Sequence, residues 1–386
     1  MLKGFKKKVL HISHTDIRTD SRILKELAAL NDTGSYELYA VGVKLAGEPP
    51  SIDHSKTFDI CTISLFSNKG KWRPRFLRHM LVLIELFFRC IIQCLRLKPN
   101  IVHCHDTLVL PVGLVVKALT GAKLVYDAHE LESNKNGQTR LQSKATLMAE
   151  KLCWRSIDLL VSVSPSILDW YQAHLGSKTS VLVLNSPEVR EESSVANHLG
   201  DQYFHGKFGI PDDQIVFLYI GILGQGRGID VILEAFEGAD LGAHVVFLGY
   251  GDYEERIESS SSMNVHLHPA VKHNEVVSYA KSADVGLCLI ENISLSDYYC
   301  LPNKFFEYAF AGLPMLVSAF PDLEAYVKKH QLGTSCPLNA ESLRGKVLSI
   351  SKDGLPYFPV ELEDISWNYQ AERLREAYSN FDKFVY

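Results

Sequence analysis

Short apolar runs alternate with amphipathic stretches of helical period along almost the whole chain, and this alternation limits the fold more than any other feature. A run that is apolar on both sides reads as a strand buried on both faces. Such strands form parallel sheets, whose crossover helices cover both sides. In the first half the strand candidates are Val9–Ser13, Leu38–Val43, Ile101–His105, Lys123–Asp127, Leu159–Val163 and Val181–Leu184, with helices at Asp20–Leu30, Leu108–Leu119 and Thr139–Ser156. The polar stretch Glu188–Gly206 contains no apolar run and reads as a connection. The pattern then restarts with Ile215–Ile220, His244–Leu248, Val265–His268, Val285–Ile290 and Met315–Ser318. A chain of 386 residues with one such break predicts two α/β domains, 1–190 and 205–365. The final helix, within 366–386, carries Trp367, Leu374 and Tyr378 on a face able to pack back on the first domain.

Composition narrows the function classes. With 46% apolar and 22% charged residues, the chain has the make-up of a soluble globular protein. A net charge of −5 argues against a nucleic-acid partner. Eight cysteines without a Cys-x-x-Cys pair predict a reduced, cytoplasmic protein, and the lysine-rich start runs into a strand with no signal-peptide core.

Open parallel sheets collect ligands at the carboxyl ends of their strands. In the first half those ends carry His14 and Asp16, then His105 and Asp106, then Asp127, His129 and Glu130. In the second half they carry Gly221-Ile-Leu-Gly224-Gln-Gly226-Arg227-Gly228, Gly249-Tyr-Gly251-Asp252, and the residues from Glu291 onward. Glycines let backbone approach a phosphate, and a guanidinium binds it with two parallel hydrogen bonds. The spacing is not that of a dinucleotide fingerprint, because its third glycine would fall on Val231 or Ile229. Downstream, Pro302-Asn303-Lys304-Phe-Phe-Glu307-Tyr opens a helix that closes on Gly312-Leu-Pro314. A helix start with a lysine suits an anion, and a carboxylate one turn in suits the two hydroxyls of a ribose. His103-Cys104-His105-Asp106 and Asp127-Ala-His129-Glu130 could also be read as zinc ligands. His103 and Cys104 lie in an apolar strand, however, and no closed ligand set is visible in the sequence. The chain also has no Asp-x-Asp, so no metal and no cofactor are expected.

Taken in order, the Pro-Asn-Lys-x-x-Glu-Tyr segment, Asp127-Ala-His129-Glu130, Asn185-Ser-Pro187, the Gly221–Arg227 loop and Ser-Ala-Asp284-Val-Gly resemble glycosyltransferase family 4. The resemblance runs from about Lys8 to the last helix. It implies the GT-B fold, two Rossmann-like domains whose parallel sheets face a central cleft. It also implies an acceptor-binding first domain, a nucleotide-sugar-binding second domain, and transfer with retention of configuration. The donor site would use Gly224, Gly226, Gly251, Tyr299, Asn303 and Glu307, with His129, Arg227 and Lys304 as catalytic residues. Acceptor binding would fall to His14, Asp16, Arg18 and Asp106. Two positions depart from the family pattern: Ile222 stands where a phosphate-binding cation is common, and Tyr299 stands where the first of two glutamates is usual. Asp297, Tyr298 or Tyr299 could substitute for that glutamate. The rival readings are a non-catalytic nucleotide-sugar-binding subunit and a nucleotide-sugar epimerase or hydrolase.

One segment points to an acceptor at a membrane. From Lys69 to Lys98 there are eight Lys/Arg against the single Glu85, and Phe76–Leu97 is nearly all apolar. Arg78, Glu85, Arg89 and Arg96 make a spanning helix too costly. That leaves a helix buried on the first sheet or an anionic membrane surface met through 69–97. The family often glycosylates lipid-linked or polysaccharide-precursor acceptors, so a glycan or lipid-linked acceptor at the inner membrane face is expected.

Overall fold

The computed structural model of the chain describes residues 6–44, 52–53, 58–69, 75–188, 200, 202–238, 241–353 and 361–383. Two sheets organise them. The first holds β1 (Lys7–Ile12), β2 (Tyr36–Val43), β3 (Ile52–Asp53), β4 (Asp59–Ile63), β5 (Ile101–His105), β6 (Lys123–Ala128), β7 (Leu159–Ser162) and β8 (Ser180–Leu182) in the order β3-β4-β2-β1-β5-β6-β7-β8. Every neighbouring pair is parallel except β3 with β4. The second holds β9 (Ile215–Ile222), β10 (Ala243–Tyr250), β11 (Val265–Pro269), β12 (Val285–Cys288), β13 (Met315–Ser318) and β14 (Gly333–Cys336), all parallel, in the order β11-β10-β9-β12-β13-β14.

Contacts divide the chain into residues 1–183 with 370–386, and residues 184–369. The last helix, Trp367–Lys383, enters the first unit at Gln370. There the Arg375 Nε–H donates to the Ala29 carbonyl at 2.8 Å, and the Tyr378 hydroxyl meets His103 Nδ1 at 2.7 Å. Each unit has its own core of aliphatic and aromatic side chains, led by Tyr126, Tyr171 and Leu10 in the first and by Phe217, Phe236 and Phe247 in the second.

Strand order reverses between β1 and β5 in the first sheet and between β9 and β12 in the second. At such a reversal the neighbouring crossovers leave on opposite faces, which opens a crevice at the strand ends. In the second unit Tyr308 fills the gap below that crevice. Its hydroxyl accepts from the Ile220 N–H and donates to the Leu218 carbonyl, both at 2.9 Å. A Cβ on Gly286 would come within 2.5 Å of the Tyr308 ring, so only glycine allows this insertion. Tyr308 thereby fixes the helix Asn303–Ala311, and with it the position of Lys304 and Glu307.

Several elements differ from the sequence expectation. The strands β3, β4 and β14 were not foreseen; the edge strand Gly333–Cys336, for one, has no apolar run and is held by pairing to its neighbour. The stretch predicted as connection through Gly206 contains the helix Tyr203–Phe208, which buries Phe204. Among the described residues no helix is long and apolar enough to cross a membrane.

Candidate functional site

In the second unit the glycine loop after β9 is pinned from β12. The Glu291 N–H donates to the Gly226 carbonyl at 3.1 Å, and the Gly228 N–H donates to Glu291 Oε1 at 3.2 Å. The loop after β10 packs onto it at Gly251, whose φ is +149° and whose Cβ would stand 2.3 Å from the Leu223 carbonyl oxygen. Gly251 is thus explained by close backbone packing, while Gly224 has no positive φ and a Cβ there would meet only Ile222 Cγ2, at 4.0 Å. Arg227 is half-exposed, 3.8 Å from Asp297, and the buried Asp297 carboxylate accepts from the Ser294 hydroxyl at 2.6 Å.

Lys304 is the unusual member. Its side chain is 8% exposed, and Nζ is buried without a hydrogen-bond partner. It sits 3.5 Å from the centroid of the Tyr219 ring and 3.7 Å from the place of a Cβ on Gly221. A ring face attracts an ammonium but supplies no acceptor. The helix it belongs to starts at Asn303 without a side-chain cap, so its N-terminal amide dipoles add positive potential. One turn on, Glu307 is buried and lies 3.7 Å from His273 Nδ1. Asn303 is exposed at the helix start, and Tyr299 C-caps the preceding turn, Leu295–Tyr298. Lys304, Gly221 and Tyr219 therefore meet, and Asp297 and Arg227 pair. Glu291 and His273 were not assigned roles from the sequence, since a loop-pinning carboxylate and a lone exposed histidine carry no motif.

In the first unit His14, Asp106 and His129 come together. His14 Nδ1 lies 3.6 Å and His129 Nδ1 3.7 Å from the Asp106 carboxylate. Asp106 adopts φ +67° and ψ 161°, a conformation costly for any residue but glycine and concentrated at functional sites. Asp16 and Arg18 turn on each other instead. Asp16 caps the turn Ile17–Thr19 and takes two hydrogen bonds from the Arg18 guanidinium at 2.9 and 2.6 Å.

Behind His129 runs a buried polar chain that the sequence did not reveal. Arg22 holds Asp127 in bidentate fashion at 3.1 and 2.9 Å, and Asp127 accepts from His129 Nε2 at 2.9 Å. His11, His103 and His105 stack beside it, with 4.5 Å between the ring centroids of His103 and each of the other two. Burial pulls His129 down, but Asp106 and Asp127 outweigh it and raise it to about 10, so the imidazole is charged at neutral pH. Burial pushes Asp127 up, and Arg22 and His129 hold it well below the usual carboxylate range. Burial, then His105, keeps His11 and His103 neutral.

These residues correct one expectation: ligand atoms do gather. One atom each from His11, Glu26, His103 and His105, and from His105, Asp127 and His129, fall within 4.8 Å of one another. Around the second set the charges are already paired. Arg22 and the charged His129 already balance Asp127 and Asp106, and a further two positive charges would be buried against a guanidinium.

Glu26→Gln tests this balance. Burial, then Asp127, raises the Glu26 carboxyl from 4.5 to about 8. The folded chain keeps a proton there that the unfolded chain releases above about pH 4.5. The residue's contribution to stability is thus complete below that pH, declines as pH rises, and is lost above about 8. Glutamine mimics the neutral acid. Thermal melts should show variant and wild type alike near pH 4.5 and the variant more stable at pH 9, by roughly 2–4 kcal/mol. A difference independent of pH would contradict it.

Comparison with known proteins adds the family. Residues 48–185 match the model of Glycosyltransferase Family 4, and residues 201–365 match that of Glycosyl transferases group 1. No curated protein is similar to the chain in sequence. Among solved structures, sucrose-phosphate synthase from Thermosynechococcus elongatus superposes with a TM-score of 0.71 at 16% identity, over 97% of this chain and 94% of that one. Anabaena HepE, in complex with UDP and glucose, gives 0.63 at 10% identity over 97% and 95%. An α,α-trehalose-phosphate synthase from Burkholderia xenovorans gives 0.63 at 11% identity over 98% and 99%. At these identities the structures establish a common fold.

Proposed function

Since the chain is a glycosyltransferase of the GT-B fold, we propose that it moves a hexose-type sugar from a nucleoside diphosphate to an acceptor hydroxyl, with retention of configuration and without a metal ion. One observation carries this reading: the buried, unpartnered ammonium of Lys304 at the start of a helix and beside a glycine loop. A buried cation without an acceptor is costly, and a diphosphate oxygen would supply the acceptor. As the glycosidic bond to the diphosphate breaks, negative charge grows on the leaving group. Lys304, Arg227 and the helix N–H groups are then preorganised to stabilise it in place of a metal. Glu307 holds the ribose. Asp297 aims Arg227 and takes over from the glutamate replaced by Tyr299. In the first unit the charged His129, kept so by Asp127 and Asp106, is the candidate donor to a sugar hydroxyl, and His14 and Asp106 are the candidates for acceptor binding.

UDP is the first nucleotide to test, because the similar Anabaena protein was solved with UDP and with UDP-glucose. In excess chelator, UDP at a hundred times its Kd should stabilise the fold by about 2.7 kcal/mol, read as a rise in melting temperature. Turnover should persist as well. Activity abolished by chelator and restored by magnesium or manganese would overturn the metal-independent reading.

We place the acceptor, a lipid-linked or polysaccharide precursor, at the inner face of a membrane met through 69–97. The helix Arg75–Leu97 buries Leu86, Cys90 and Cys94 and exposes Leu77, Ile84, Phe88 and Ile92, so one face packs on the unit and the other is open to surface contact. Lys71, Trp72 and Arg73 of that segment lie outside the described residues.

A further inference from the structure

Three neighbouring helices of the first unit turn apolar side chains to solvent. Arg75–Leu97, Leu110–Thr120 and Arg140–Trp154 connect β4 to β5, β5 to β6 and β6 to β7. All three step the same way along the sheet, so right-handed crossovers place them on one face, and the middle helix packs against both neighbours. The first helix exposes Ile84, Phe88 and Ile92 at four-residue spacing, which keeps them on one side. The middle helix exposes Ala118 and Leu119. The third exposes Leu141 at 76%, Met148 at 63% and Leu152 at 69%, again on one side. Apolar exposure repeated on three adjacent helices of one face marks an interaction site rather than the scattered exposure of a monomer.

The charges name the occupant. Arg140, Lys144, Lys151 and Arg155 are exposed among the apolar residues of the third helix, and Arg96 and Lys98 are exposed at the end of the first. The acids of these helices are used internally. Glu150 is buried and accepts from the hydroxyls of Tyr171, Tyr126 and Thr107. Glu85 pairs with Arg89 at 2.8 Å and accepts from the Phe66 and Ser67 amides. The middle helix has no Asp or Glu. The face thus offers apolar groups and cations with no exposed acid among its described residues, the pattern of a surface that rests on anionic lipid. A second copy docked face to face would set these cations against themselves.

We propose that the whole three-helix face, including Arg140–Trp154, lies on an anionic bilayer. This rests on the membrane reading for 69–97 and extends it to two further helices. The test is sedimentation of the full chain with vesicles of phosphatidylcholine alone and of phosphatidylcholine with phosphatidylglycerol, at low and high salt. The wild type should pellet with the anionic vesicles only, less so at high salt. Lys144→Glu/Lys151→Glu/Arg155→Glu should lower partitioning about a hundredfold, and Met148→Asp should weaken it without a change in any basic residue. Retained UDP binding and unchanged melting temperature will show that these exposed-site variants fold. If they pellet like the wild type while Arg73→Glu/Arg75→Glu/Arg78→Glu does not, the extension falls and the 69–97 contact stands. If the wild type fails to pellet at low salt, both fall. A solution dimer broken by Met148→Asp, without vesicle binding, would assign the face to a second copy.

Discussion

Lys304→Met should lower the rate of sugar transfer by roughly 10²–10³, the scale of removing one preorganised charge at a leaving group. Methionine keeps the stem that packs over Tyr219 and removes only the ammonium. Because that ammonium is buried and unpartnered without ligand, its loss should make the nucleotide-free protein more stable, by about 1–3 kcal/mol. The two effects have opposite signs, which separates a binding role from a structural one. Arg227→Ala should lose rate on the same scale without the gain in stability, since Arg227 is half-exposed and faces Asp297. Steady-state rates with melting curves in the absence of nucleotide decide the matter. A Lys304→Met enzyme within a few-fold of wild-type rate would remove the diphosphate from this site.

Glu307→Ala should weaken nucleotide binding by about 2–4 kcal/mol, the cost of a lost pair of hydrogen bonds to a charged acceptor. Calorimetry with UDP and its 2′-deoxy counterpart gives the sharper measurement. Wild type should prefer the ribonucleotide by tenfold or more, and the variant should bind the two alike, because deletion of either partner removes the same contact. His273 near Glu307 does not compensate, since an imidazole beside the alanine gives the ribose no carboxylate. Equal affinity of wild type for both nucleotides would place the ribose elsewhere.

The alternation of strand and helix was plain in the sequence because parallel strands buried on both faces must be nearly all apolar, as in Val9–Ile12 or Val245–Leu248. The glycine loop, Lys304 and Glu307 were legible as well, because helix starts and glycine turns are local chemistry. The edge strand Gly333–Cys336 was not, since its conformation is imposed by β13 rather than by its own side chains.

Sequence alone therefore determined two parallel-sheet units and the residues at their strand ends, for these depend on the order of apolar and polar side chains along a short stretch. Tertiary structure decided which of those residues meet. It turned Asp16 and Arg18 on each other, left Lys304 Nζ buried beside Gly221, and joined Arg22 through Asp127 to His129 across 105 and 2 residues of chain. It also exposed Met148 and Leu152, on a helix whose period reads equally well as a buried face. The physical reason is the same in each case. Burial, pairing and the charge state of a histidine depend on neighbours remote in the chain, and those neighbours exist only once the sheet has assembled.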